Sequence, residues 1–312
     1  MTAALVVGCL LVAFGVPLAI FVRVIARDPL RIILFVLGAF FWLMSLLFAA
    51  LLWFAVVPLR DTLAFSLAFT IAFQELFRFL FFYLLKTAET GLEKVSQSGL
   101  QIAGVHSLKD ARLTIAMVCG LGFGVMSGLF GIVNVAADSA GAGVPGLPDE
   151  HALARKPSYA FFVYTSIAIA AMVLLNTCWT VIFWDGCHKV FRKPIATPAT
   201  ASAAASGEPS MKQVAFGVAQ IAAVVLLHYS VSYLSLLNER QLYSVFLPIE
   251  YFVLVCTVAC TYATVGGTPA RLMSALFARN TDGVGGNQER TVDQRNAAIV
   301  TSSAHADVAV VR

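Results

Sequence analysis

Apolar residues in this chain come in long unbroken runs, with no alternation between a wet and a dry face. Seven windows are long enough to cross a bilayer as helices, at about 3–25, 32–57, 62–85, 112–136, 159–184, 213–237 and 243–266. A helix needs about 20 apolar residues to span the hydrocarbon core. Each window is bounded by charge or by Pro and Gly. The pattern predicts an all-α, polytopic membrane protein with seven transmembrane helices. The first window lacks the basic leader of a cleaved signal peptide and is expected to remain as a span.

Between the windows the chain changes character. Residues 86–111 are polar and mixed in charge, read as a helical extension and a loop. Residues 194–210, PIATPATASAAASGEPS, have nothing to bury and read as a flexible cytoplasmic linker within the 1–266 membrane domain. Residues 267–312 read as a cytoplasmic tail, largely disordered from about 280. The loop 137–158 carries GAGVPGLPDE, a turn-forming run. No glycosylation sequon is present.

Composition sharpens this picture. The chain is 59% hydrophobic and 12% charged over 312 residues, about half the roughly 25% charge of a soluble domain. The formal charge of +4 gives no basis for a nucleic-acid partner; the expected surroundings are lipid. The distribution of charge does set an orientation, because Lys and Arg favour cytoplasmic loops. If Arg23, Arg27 and Arg31 are cytoplasmic, that side also takes Lys86, Lys94, Lys109, Arg112, Lys189, Arg192, Lys193, Lys212, Arg271, Arg279, Arg290, Arg295 and Arg312, sixteen in all. The other side takes four, Arg60, Arg155, Lys156 and Arg240, while Arg78 lies inside a span. The expectation is N-out and C-in, which an odd number of spans requires.

Candidate chemistry sits where polar groups enter hydrocarbon, since such groups are rare and functional candidates there. The third span carries FQELFRF, whose Gln74, Glu75 and Arg78 share a helix face by their spacing. They read either as an in-helix salt bridge or as part of a polar cavity. Asn176 lies midway along the fifth span, and His228 lies in the sixth with Ser232 one turn on. His228 is either a hydrogen-bonded core histidine or one wall of a polar cavity shared with Glu75 and Asn176. Asp185, in FWDGC, reads as a solvated helix end. The fourth span carries GLGFGVMSGLFG, in which Gly120, Gly124 and Gly128 line one face. Small residues at that spacing let helices approach closely, either within this chain or between subunits. The six cysteines, Cys9, Cys119, Cys178, Cys187, Cys256 and Cys260, read as small buried apolar residues. Cys256 and Cys260 are a turn apart, but no His or carboxylate is near enough in sequence to complete a metal site, and no cofactor is implied.

Catalytic readings fail on residue type. Two aspartates sharing a proton are needed by an aspartyl intramembrane protease, and Asp61 and Asp185 fall on opposite sides. Ser127 and His228 echo a rhomboid protease, but the run Val125-Met126-Ser127-Gly128 lacks the glycine two before the serine. Type II CAAX-processing proteases use a Glu–Glu–x–x–x–Arg motif and two His-bearing helices. Here the run is Gln74-Glu75-Leu76-Phe77-Arg78, and one of those histidines falls on Asn176. An amide cannot act as a general base. A hydrolase using Glu75 and His228 is the second reading. Receptor signatures after the third span and in the seventh are absent, and no repeat of transporter type is visible.

The segments DPLRIILFVLGAFFWLMSLLF (28–48), QELFRF (74–79), GLGFGVMSGLFGIVN (120–134), FWDGC (183–187) and the His228 helix resemble, in order and separation, the anterior-pharynx-defective (Aph) subunit family of γ-secretase. The resemblance covers about residues 1–265 and neither the linker nor the tail. It implies a non-catalytic, seven-span scaffold that binds nicastrin, stabilises presenilin, whose aspartates cut, and works with the presenilin enhancer subunit. It implies a role in intramembrane proteolysis and Notch signalling, and residence in endoplasmic reticulum, Golgi, plasma membrane and endosomes. The family's tandem GxxxG falls on Gly120, Gly124 and Gly128, its assembly face. Of the family's two membrane histidines one falls on His228 and the other on Asn176, a departure that bears on any role needing a His pair, such as metal binding. A hydrogen-bonding role is left intact.

Overall fold

The computed structural model describes residues 3–56, 62–97, 112–140, 159–191, 211–238 and 242–267. The elements are helices α1 (Ala3–Ile20), α2 (Pro29–Ala55), α3 (Leu63–Gln97), α4 (Arg112–Ala140), α5 (Tyr159–Val190), α6 (Met211–Leu234) and α7 (Tyr243–Thr264). All seven are long and apolar enough to cross a membrane. A wider π-helical turn, Phe21–Ile25, extends α1, and a 3₁₀ turn, Ser235–Asn238, extends α6.

Local chemistry places the joints. Asp28 caps α2 by accepting a hydrogen bond from the Leu30 N–H at 3.0 Å, with Pro29 at the first helical position, where its missing N–H costs nothing. Arg31 then reaches back to the Val24 carbonyl at 2.7 Å and pairs with Asp28 at 3.2 Å. These bonds join the last turn of α1 to the first of α2. At the other end of the chain's helical run, α7 stops where Gly266 turns to φ +81°, the left-handed conformation that glycine adopts freely at a helix terminus.

The compact unit runs from Met1 to Val265, and α4 and α5 are its centre. Over half of each of these spans is buried, 56% and 61%, against 17% for α1 and 22% for α6 and α7. Helix α4 packs against α2 and α5, while α5 also receives α1, α6 and α7. Glycine makes this possible. A Cβ at Gly120 would lie 2.9 Å from the Thr177 carbonyl oxygen, and one at Gly124 2.5 Å from that of Val173. Two residues round the helix, a Cβ at Gly122 would lie 2.0 Å from the Phe35 carbonyl oxygen of α2. Gly38 of α2 answers from the other side, 2.3 Å from the carbonyl oxygen of Cys119 by the same construction. So α4 is pressed backbone to backbone on two faces, which in lipid is how packing replaces the hydrophobic effect.

Several expectations are corrected here. The fifth span was expected to stop near 184, but its helix continues to Val190, while α3 runs on to Gln97 as the helical extension expected after 85. Polar side chains carry them past the apolar run: Lys86 of α3 bonds the Phe191 carbonyl, and Asp185 pairs with Lys189 one turn on. Cys256 and Cys260 are exposed and Cys178 is half-buried, while Cys9, Cys119 and Cys187 are buried as expected. An apolar residue facing lipid has no reason to turn inward, so apolarity alone does not predict burial in this solvent. The 194–210 linker and the tail beyond residue 267 lie outside the described residues.

Candidate functional site

Four of the polar residues singled out in the sequence meet at one point between α3, α5 and α6. Arg78 and Glu75 are one turn apart on α3, with Arg78 Nη2 3.5 Å from Glu75 Oε1. The same Nη2 donates to Asn176 Oδ1 of α5 at 2.8 Å. From α6, His228 Nδ1 lies 2.5 Å from Glu75 Oε1, a contact that requires the imidazole proton on Nδ1 if the carboxylate is ionised. Arg78 and Asn176 are each 1% exposed, His228 2% and Glu75 7%.

Physical cost explains why these groups converge. A guanidinium alone in hydrocarbon is expensive, and such groups pair with one another in the bundle interior. Glu75 supplies the counter-charge, so with a neutral imidazole the cluster carries no net charge. Phe123 of α4 lies under the guanidinium at 4.9 Å, a cation–π contact. The Trp179 ring sits 4.8 Å from the His228 ring, and Trp184 Nε1 donates to the Arg78 carbonyl at 3.4 Å. Arg78 Nε and Nη1 and Glu75 Oε2 are buried without partners among the described residues. The result is a closed network walled by aromatic rings, where the sequence left a cavity as one alternative.

Two tyrosines hold α6 against α3 beside this network. Tyr229 and Tyr233 donate their hydroxyls to the Ala68 and Ala64 carbonyls, each at 2.9 Å. Gln74 and Ser232 are buried, but no hydrogen bond joins them to the four. Ser127 does join: its hydroxyl accepts from Asn176 Nδ2 at 3.3 Å, which ties α4 in. Asp185, half-buried in the last turns of α5, has protein partners as well: its carboxylate pairs with Lys189 and accepts from Gln220 Nε2 of α6 at 2.9 Å. Next to it a Cβ on Gly186 would lie 2.8 Å from the Gly217 carbonyl oxygen, and one on Gly217 2.7 Å from that of Gly186. This reciprocal crossing fixes α6 on α5.

The glycine stripe is also settled as to its neighbour. Gly120, Gly124 and Gly128 face α5 of this same chain, through Thr177, Thr180, Val173, Asn176 and Ile169. A subunit partner cannot occupy that face while α5 does. The sequence reading missed Gly38, Gly186 and Gly217 as contact points, noted Gly122 only as a neighbour of the stripe, and missed Glu250. That carboxylate lies inside the seventh span, is 1% exposed, and leaves Oε2 unpartnered among the described residues. The rule that found Glu75, an ionisable group in an apolar run, would have found it too.

One result follows for His228. Asparagine at that position can still donate to Glu75, whereas leucine cannot. His228→Asn is expected to lower the chain's stability by about 1 kcal/mol and His228→Leu by about 2–3 kcal/mol. Thermal unfolding of the purified chain in one detergent checks the order; equal losses would mean that the contact contributes nothing.

Comparison with known proteins places the chain among its relatives. Residues 4–268 match the model of the family described as Aph-1 protein. The chain is 37% identical over 296 residues to the Caenorhabditis elegans "Gamma-secretase subunit aph-1", covering 92% of this chain and 89% of that protein. It is 35% identical over 261 residues to the Drosophila melanogaster "Gamma-secretase subunit Aph-1", covering 84% and 92%. The Homo sapiens "Gamma-secretase subunit APH-1B" is 39% identical over 198 residues, covering 61% and 71%. A family match across the whole seven-helix unit, with the worm and fly relatives aligned over about nine-tenths of their length, places this integral membrane chain in the Aph-1 family.

Proposed function

We propose that this chain is the scaffold subunit of a γ-secretase complex, non-catalytic itself, that binds nicastrin and stabilises presenilin together with the presenilin enhancer subunit. The relatives' names support membership of that complex. The observation that carries the scaffold reading is the closed network at Glu75. Its Oε1 is engaged by both Arg78 and His228, and Trp179 and Phe123 cover the imidazole and the guanidinium. A general base must reach a proton on substrate or water. A carboxylate held this way instead joins helices. The hydrolase alternative gains no support from it.

The scaffold sits N-out and C-in in this reading, with the 194–210 linker and the 267–312 tail in the cytoplasm, in the endomembrane system and at the cell surface. Its support is the charge asymmetry of the loops. Co-expression with presenilin, nicastrin and the enhancer subunit tests both parts. Affinity capture on a C-terminal tag should recover all three partners, and in whole cells that tag should stain only after permeabilisation. Capture of the chain alone would sink the scaffold reading, and staining of intact cells would reverse the orientation.

A further inference from the structure

At one end of the bundle, α2, α3, α4 and α5 do not close on one another. They leave a pocket of about 260 Å³ whose lining changes character along the helix axes. Leu34, Phe82, Ile115 and Trp184 form its floor. Lys86, Glu89, Arg112 and His188 form its rim. The rim lies at the ends of spans: Arg112 opens α4, His188 is two residues from the end of α5, and Lys86 and Glu89 lie in the last turns of the third span, which ends at Gly91. The floor is about one turn deeper. Polar rim and apolar floor therefore stack along the membrane normal, in the same order as a lipid's headgroup and chain.

Charge selects among lipids. Among the described residues the rim holds two permanent cations, Lys86 and Arg112, and one carboxylate, Glu89. Arg112 Nε and Nη2 both contact the same oxygen, Glu89 Oε1, at 3.2 and 2.8 Å. A guanidinium has five N–H donors, so three remain after that pairing among the described residues. Its side chain is 44% exposed, open to an incoming group. Lys86 Nζ is anchored on the Phe191 carbonyl and packed between the Phe82 and Phe191 rings at 5.8 and 5.6 Å, which holds its charge at the mouth. We propose that this pocket is a binding site for an anionic phospholipid, one acyl chain on the Trp184 floor and the phosphate against Arg112 and Lys86. The orientation argued above puts it in the cytoplasmic leaflet, where anionic lipids concentrate. The site does not depend on that orientation, nor on the scaffold reading.

The test uses the full chain in phosphatidylcholine nanodiscs doped with a few mole per cent of a lipid brominated along one acyl chain, and reads tryptophan quenching. Brominated phosphatidylserine should quench Trp184 more strongly than brominated phosphatidylcholine at the same dose, the Trp184 share being the part lost in Trp184→Phe. Arg112→Gln should cut that preference about fivefold and Glu89→Gln should raise it by a similar factor, one elementary charge near the surface in each case. Ala88→Leu, which puts bulk into the pocket wall, should remove the Trp184 quenching by either lipid and leave the other tryptophans unchanged. If Trp184→Phe does not yield folded chain, cross-linking of a chain-labelled photoreactive phosphatidylserine to the peptides holding Phe82 and Ile115 carries the same comparison. Equal quenching by the two lipids, or a preference unmoved by both charge variants, overturns the proposal. So does displacement of the lipid by millimolar glycerol phosphate, which would reassign the rim to a soluble phosphate.

Discussion

Gly122→Ala should cost this chain its fold, although it adds a single methyl group. That methyl would sit 2.0 Å from the Phe35 carbonyl oxygen, 2.9 Å from the Phe35 carbonyl carbon and 3.2 Å from the Ala39 nitrogen. All three are backbone atoms of α2, so no rotamer change relieves the clash, and the two helices must separate. Separation also opens the reciprocal contact at Gly38 and Cys119. In lipid no hydrophobic effect draws them back together, because a lipid tail is as apolar as the surface it covers. Overpacking of a flexible core costs about 1–3 kcal/mol, and a rigid backbone contact belongs at or above the top of that range. Alanine's helix propensity returns about 1 kcal/mol, too little to offset it. The control is Gly15→Ala in α1, where nothing lies within 4 Å and only the propensity gain applies. Monodisperse yield and thermal unfolding of the two variants should diverge; a Gly122→Ala chain that unfolds with the wild type would mean that α2 and α4 are not in backbone contact.

The second large effect is expected at Glu75. Glu75→Leu leaves Arg78, 1% exposed, with a neutral amide as its nearest polar partner. Removing one member of a buried pair typically costs 3–5 kcal/mol, because a charge is left uncompensated, whereas replacing both with apolar groups is often neutral. The double variant Glu75→Leu/Arg78→Met should therefore be more stable than Glu75→Leu alone, despite carrying one more substitution. A double-mutant cycle by thermal unfolding decides the matter. If the double variant is worse than either single, Arg78 is held by Asn176 and Phe123 and the carboxylate is incidental.

These two sites mark how far the sequence could be read. The spans were legible because twenty apolar residues have one use, and Glu75, Asn176 and His228 were legible because each is costly in that setting. Their mutual bonding was not, since cost identifies a group that needs a partner and does not name the partner. Ser127 shows this: it was considered only as a nucleophile, and it completes the Asn176 amide. Glycine spacing had the same limit. Gly120, Gly124 and Gly128 announced a close approach, but whether α5 or another subunit made it depended on chain topology. Gly38 went unnoticed, and Gly122 was given no contact of its own, because neither repeats at four-residue spacing. The faces of Cys256 and Cys260 were misjudged because a side chain facing lipid and one facing protein obey the same composition.

The packing of α1 on α5 has a consequence for synthesis. The first span leaves the ribosome about 130 residues before α5 begins at Tyr159, roughly 7–26 s at ordinary translation rates. For that interval α1 has no α5 to pack on, and the glycine faces of α4, once made, wait for the same helix. The newborn chain must therefore pass through a loosely associated stage that the insertion machinery tolerates, and its bundle can lock only when the fifth span arrives.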